Sequence, residues 1–224
     1  MRWIAAVIVC GSVGGCSSSA YEAAYMKRVA EHRLAAEFVP LQPQGVSVAG
    51  GRAELRPPIL LGTQLDGTET PVRATPPFLR DFPGFAAAYE AQVDATDGRF
   101  PVVLTVGVVP AAERRKDEVA DAILAQVRQD DSFRKAAWRK GHTLADEAAE
   151  VRQWDVLELT GVQPVLLNGA EERRPGRTEV WLSAAPGQQA CVILAWRVPD
   201  DAQGKLPLPE MAELTARTVR ITAP

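Results

Sequence analysis

Between residues 85 and 94 the chain carries a period of two. Phe85, Ala87, Tyr89, Ala91 and Val93 fall on one side of an extended backbone, and Glu90, Gln92 and Asp94 fall on the other. Thr96-Asp97-Gly98 supplies a turn, and the β-rich run "FPVVLTVGVV" follows, closed by Pro110. This predicts a hairpin. An earlier hairpin is predicted at 46–55, where Val46 and Val48, then Ala53 and Leu55, alternate around Gly50-Gly51, two residues that tolerate a two-residue turn. Pro57 and Pro58 then mark a strand end or a sheet edge. Residues 63–84, with Asp66-Gly67, Pro71, Pro76-Pro77 and Pro83-Gly84, read as a long loop.

Helical spacing appears in three places. Ser19 and Glu22 form an S-x-x-E signature that opens a helix at about 20–38, with Tyr21, Tyr25, Val29 and Ala36 along one side and Pro40 beyond its end. Over 111–129, Val119, Ile123 and Val127 recur every four residues beside Ala120 and Leu124, while Glu113, Arg114, Lys116 and Asp117 take the polar side. "LPEMAELTARTVRI", 208–221, predicts a closing helix with Met211, Leu214 and Val219 turned inward. Strands are expected at 153–160, 177–184 and 189–198, with a further short one at 163–169; 132–141 suits either a helical turn or a strand.

The predicted order is helix, two hairpins, helix, three or four strands, helix. Short turns between strands favour an antiparallel sheet over βαβ units. The fold class is therefore α+β, an antiparallel β-sheet of about six or seven strands with helices packed on its faces, preceded by an N-terminal helix. This order, together with the late segment "VWLSAA…VILAWRVP…LPEMAELTARTV", resembles the PsbP-like α/β/α sandwich. The resemblance implies a binding or assembly subunit without catalytic activity.

Composition adds limits. The 224 residues, 46% of them hydrophobic, suit one globular domain, or one domain with a tail. The formal charge of −3 is spread along the chain with no basic stripe, which argues against a nucleic-acid partner. Beyond the N-terminus no apolar run reaches the roughly 18–20 residues of a spanning helix.

The first residues supply an address. Arg2 precedes a short apolar segment ending in small residues, the layout of an export signal. Val13-Gly14-Gly15-Cys16 resembles the lipobox of bacterial lipoproteins. That resemblance implies cleavage after Gly15, a lipid on the Cys16 sulfur and an acylated new N-terminus. It also implies, through Ser17 rather than Asp in the next position, an outer-membrane location facing the periplasm. Cys10 fails the pattern because Val9 precedes it. The expected organisation is a signal peptide at 1–15, a lipid-anchored helical tether at 16–40 and a single α+β domain at 41–224. Loss of residues 1–15 removes Arg2 alone among the charged residues, leaving 24 basic against 28 acidic side chains, a charge of −4. Cys191 is then the one body thiol, so no internal disulfide is expected.

Candidate chemistry is sparse. His32 and His142 are the only histidines, neither has a partner at i+4, and there is no HExxH, CxxC or GxSxG. Both read as surface histidines, His142 in a polar turn after Gly141. Cys191, within "ACVILAW", reads as core. "DATDG" and "PDDAQGK" lack the ligand pattern of a calcium loop and read as solvated turns. Glu90, Asp94, Asp155 and Glu158 are the carboxylates available for general acid–base work. Trp138, Trp154, Trp181 and Trp196 either build the sheet–helix core or line a cleft. No catalytic, cofactor-binding or metal-binding residue is assigned, and no cofactor is expected. The expectation is a lipid-anchored envelope protein that binds a partner protein or small ligand without catalysis. The alternative is an envelope hydrolase working through Asp and Glu carboxylates.

Overall fold

The alternation at 85–110 folds as expected, into the antiparallel pair β4 (Phe85–Ala95) and β5 (Gly98–Pro110) in a computed structural model. The structure describes residues 18–65, 83–95, 98–146, 150–167, 170–184, 190–202, 204 and 206–221. The lipobox, and residues 66–82 of the expected loop, lie outside these. Residues 1–37 and 38–224 form two separate units. In the first, helix α1 runs Ser18–Glu37, so Ser19 lies within the helix rather than ahead of it. Tyr21, Tyr25 and Met26 are exposed on it.

The second unit contains two sheets. β1 (Val46–Val48) and β2 (Ala53–Leu55) form the predicted early hairpin, but Val48 pairs with Ala53, so the connection is four residues and not two. Three successive positive φ values, at Ala49 (52°), Gly50 (66°) and Gly51 (90°), carry it. β10 (Arg220–Ile221) adds to β2, completing a small three-stranded sheet. The closing helix therefore stops at Thr218 instead of continuing to 221.

The large sheet has seven strands in the order β3-β4-β5-β9-β8-β7-β6, every neighbouring pair antiparallel. β3 (Thr63–Leu65) is an edge strand cut from the start of the expected loop. β6 (Arg139–Ala145) forms the other edge, and its preceding residues Asp131–Phe133 make a 3-10 turn, so the ambiguous stretch 132–141 contains both. β7 (Val151–Leu167) and β8 (Ala170–Ala184) are much longer than predicted, and the expected short strand at 163–169 is the continuation of β7. Gly161, Pro164, Pro175 and Gly176 look like breaks in sequence. Among the described residues β9 (Ala190–Pro199) pairs with β8 only from Gly176 onward and β6 with β7 only as far as Val156, so Gly161, Pro164 and Pro175 fall where the β7–β8 ribbon has no second neighbour.

Each face of the sheet is covered by a helix. On the first face α2 (Lys116–Val127) packs through Val119, Ala120, Ile123 and Val127 against Leu157, Leu159, Val180, Leu182, Cys191, Ile193 and Ala195. The chain at 111–115 forms turns rather than helix. On the opposite face lie the fully buried Trp154, Trp181 and Trp196 and the closing helix α3 (Leu208–Thr218). Met211 and Val219 are buried as expected, whereas Leu214 is only half-buried. The α+β class and its antiparallel, helix-covered sheet follow directly from these layers.

Candidate functional site

The carboxylates singled out in the sequence do not converge. Glu90 and Asp94 are on β4, and Asp155 and Glu158 on β7. Three strands intervene, about 19 Å at the usual strand spacing. Asp155 and Glu158 moreover sit on opposite faces of the sheet, as their odd separation along one strand requires. Asp94 pairs with Arg99 at 2.7 Å on the surface. Asp155 is buried on the α2 face, 2.9 Å from Lys116 Nζ, and accepts the Gly141 N–H, an arrangement that anchors the first turn of α2 to β7. An acid–base pair drawn from these four residues does not exist in the fold.

Glu158 belongs instead to a charged group on the tryptophan face that the sequence did not reveal. It stands directly opposite Glu179 on β8. Arg177 Nη2 reaches Glu158 Oε2 at 3.1 Å and Glu179 Oε1 at 2.6 Å, and Arg139 Nη2 reaches Glu158 Oε1 at 3.1 Å. Trp181 Nε1 donates to Glu179 Oε2 at 3.0 Å. Glu179 is 1% exposed, and Glu158 and Arg139 form the open rim above it. Burial is the largest influence on Glu179 and pushes its carboxyl above the ordinary glutamate range. The Trp181 hydrogen bond and the Arg177 charge oppose that shift, and the Glu158 charge adds to it.

One row of directly opposed residues crosses five strands through this site: Tyr89, Leu104, Trp196, Glu179 and Glu158. Among the described residues the Tyr89 hydroxyl and Trp196 Nε1, both buried on it, have no hydrogen-bond partner, and burial pushes the Tyr89 phenol up. His142, expected in a polar turn, is instead within β6. Its ring meets Trp181 edge-on at 5.3 Å, and its Nε2 lies 3.3 Å from Glu213 Oε1 on α3. His32 is on α1, but its side chain is outside the described residues.

Two carboxylates against two guanidiniums leave little net charge to attract an ion, although among the described residues Arg177 Nε and Glu179 Oε1 are buried without a hydrogen-bond partner. The arrangement holds β7 and β8 in register and joins β6 to them. Among the described residues no three or more His, Cys, Asp or Glu side chains come together as a metal site. Cys191 is 2% exposed within the α2 core, and its thiol is pushed up, first by burial. The tryptophans resolve into core: Trp154, Trp181 and Trp196 on one face, and Trp138 on the other, donating from Nε1 to Ala120 O at 3.1 Å.

A second surface feature lies on the small-sheet side. Gln42, Pro43, Gln44, Gly45, Val46 and Ile59 line an open groove of about 440 Å³. Backbone bonds from Gln42 N to Pro57 O and from Ile59 N to Pro40 O clamp its two segments together. Ile59, Leu60 and Val39 are exposed nearby. Among the described residues no helix is long and apolar enough to cross a membrane.

Comparison with known proteins finds no matching family model and no matching curated protein. Similar solved structures include cyanobacterial PsbP (CyanoP) from Synechocystis sp. PCC 6803, with 13% identity over 80% of this chain and 92% of that one, at a TM-score of 0.40. The Ran-binding protein Mog1p of Saccharomyces cerevisiae is 10% identical over 81% of this chain and 96% of its own, at 0.42. LpqN of Mycobacterium tuberculosis, involved in cell envelope biogenesis, is 12% identical over 61% and 72%, at 0.34. Likenesses this distant carry no argument about family or activity.

Proposed function

We propose that this chain is a lipid-anchored cell-envelope protein, acylated at Cys16, whose body binds a partner protein or small ligand and does no chemistry. The observation that carries the reading is Val13-Gly14-Gly15-Cys16 after an apolar, Arg2-led segment. Ser17 favours the outer membrane, facing the periplasm. Once cleaved, the chain would begin at its anchor, close in sequence to a helix of 20 residues, about 30 Å long. The non-catalytic half of the reading draws support from the four dispersed acids and from the mutual neutralisation of Glu158, Glu179, Arg139 and Arg177.

Intact mass of the protein isolated from membranes tests the anchor. The expected species lacks residues 1–15 and carries acyl chains. A Cys16→Ser variant is expected at the higher, unprocessed mass, and normal cleavage and membrane retention of that variant would overturn the reading. In-cell cross-linking followed by pull-down tests the binding role. Recovery of one specific partner is expected, and repeated recovery of background alone counts against it.

A further inference from the structure

We propose that the groove beside β1 takes an extended, uncharged segment of a partner protein, which pairs with the free edge of β1 and sets apolar side chains against Ile59. This rests on the reading of the body as a binding module and says what it binds and where. Two uncharged runs meet here. Residues 38–51 and 57–65 contain no Asp, Glu, Lys, Arg or His, in a chain that is 24% charged. Leu41 bridges Pro58, and the Gln42 and Ile59 N–H groups donate to the Pro57 and Pro40 carbonyls, so the two runs are held side by side. Val39, Ile59 and Leu60 on them are 68%, 57% and 47% exposed, three of the five large hydrophobics exposed in the body among the described residues. The ionisable neighbours are engaged by the fold itself: Arg56 Nε donates to Gln42 O at 2.6 Å, and Glu54, which packs on Gly45, stands opposite Arg220. An apolar surface depleted of charge is the make-up of the centre of a protein interface.

The occupant follows from what the groove adjoins. Val46 lines the groove and opens β1, and among the described residues no strand pairs with β1 on the side away from β2. A free strand edge offers a row of backbone donors and acceptors. The edges at β6 and β10 are guarded, the first by Arg139, Lys140 and a register shift, the second by Arg220. Val46-Ser47-Val48 carries no charge. An added strand answers the backbone groups of β1, and its alternate side chains reach the apolar surface beside them. Lipid hydrocarbon cannot hydrogen-bond such an edge. A charged side chain entering the groove would lose its hydration to a lining that offers no opposite charge, so the segment is uncharged. At about 440 Å³ the groove has room for side chains of such a segment.

The test pans random octapeptides displayed on phage against the full-length protein, purified from membranes and held in lipid nanodiscs, after removal of phage that bind empty discs. Enriched peptides are expected to lack Asp, Glu, Lys and Arg and to alternate apolar with small polar residues. A synthetic copy of the leading peptide should bind the Ile59→Asp protein at least about tenfold more weakly than the parent. An added strand turns every second amide toward β1. N-methylation of one alternate set should therefore weaken binding at least about tenfold, and of the other set far less. That scan uses the parent protein, so it does not depend on how the variant folds. Charged winners, no enrichment above empty discs, equal binding to an Ile59→Asp protein that melts as the parent does, or equal effects of the two N-methylated sets each overturn the proposal. So does a photoreactive group at residue 59 that captures lipid or a second copy of this chain in place of the peptide. A partner cross-linked in cells equally by the parent and by Ile59→Asp overturns this inference and leaves the binding role standing; no partner in cells and no enriched peptide overturn both.

Discussion

Glu158 and Glu179 face one another directly across β7 and β8, and Arg177 reaches both carboxylates, at 3.1 and 2.6 Å. Facing acids repel, and here one of them is buried as well. The fold tolerates the pair because a single guanidinium lies between them and Trp181 donates to the buried member.

The first prediction concerns pH. The folded carboxyl of Glu179 is held above its ordinary range, chiefly by burial, so the folded state favours the protonated form. Its stabilising contribution is fully present below the unfolded glutamate range and is lost as pH rises through the folded value. Glu179→Gln removes that titration. Thermal melts between about pH 4 and pH 8 should show the variant gaining on the parent as pH rises. A constant difference across the range would falsify the assignment.

Removing the shared cation has the opposite character. Arg177→Met leaves two opposed carboxylates, one buried, and should cost about 3 kcal/mol near neutral pH. Adding Glu179→Gln to it should recover at least about 1 kcal/mol in a double-mutant cycle measured by urea unfolding. Strict additivity of the two substitutions would show that Arg177 acts elsewhere.

Trp181→Phe keeps most of the ring volume but deletes the donor to Glu179. A loss of about 1.5–3 kcal/mol is expected, as for a hydrogen bond to a charged group. Because that bond holds the Glu179 carboxyl down, the pH-dependent part of the stability should also move to higher pH. A simple drop with an unchanged pH profile would mean that only packing was lost.

These residues explain why the fold was more legible than the site. Alternation in "RTEVWLSA" places Arg177, Glu179, Trp181 and Ser183 on one face and Thr178, Val180 and Leu182 on the other, and the structure keeps that division. Period two says which side chains share a face, not whether the more polar face will be covered. Here α3 and the Asp200–Ala202 turn lie on that face, and Glu179 becomes buried. The register that sets Glu158 against Glu179 is likewise a non-local quantity, fixed by a ribbon whose length was hidden by Gly161, Pro164 and Pro175. Helix α2 was legible because its apolar stripe is local. β10 was not, since two residues carry no period.

Two glycines with similar φ should respond differently to alanine. Gly84 has a φ of 63°, and a Cβ there would lie 2.5 Å from Val108 O. Gly50 has a φ of 66° with nothing within 4 Å. Gly50→Ala should cost about 1 kcal/mol, the left-handed penalty alone, whereas Gly84→Ala should cost more than about 2 kcal/mol because β5 must also move. Chemical denaturation of both variants checks the ranking.

The small sheet closes the body end to end. β2 takes its third strand from Arg220–Ile221, and the Arg56 N–H donates to Thr218 Oγ1 across 162 residues of chain. A polypeptide made from its N-terminus presents β2 long before β10, its partner. Such long-range closure is slow, since the loop must form before any contact rewards it. Residues 53–55 therefore stay paired on the β1 side alone until Arg220–Ile221 has been made. A chain cut short of Thr218 would lack both β10 and the Thr218 hydroxyl, leaving one side of β2 without the strand that covers it.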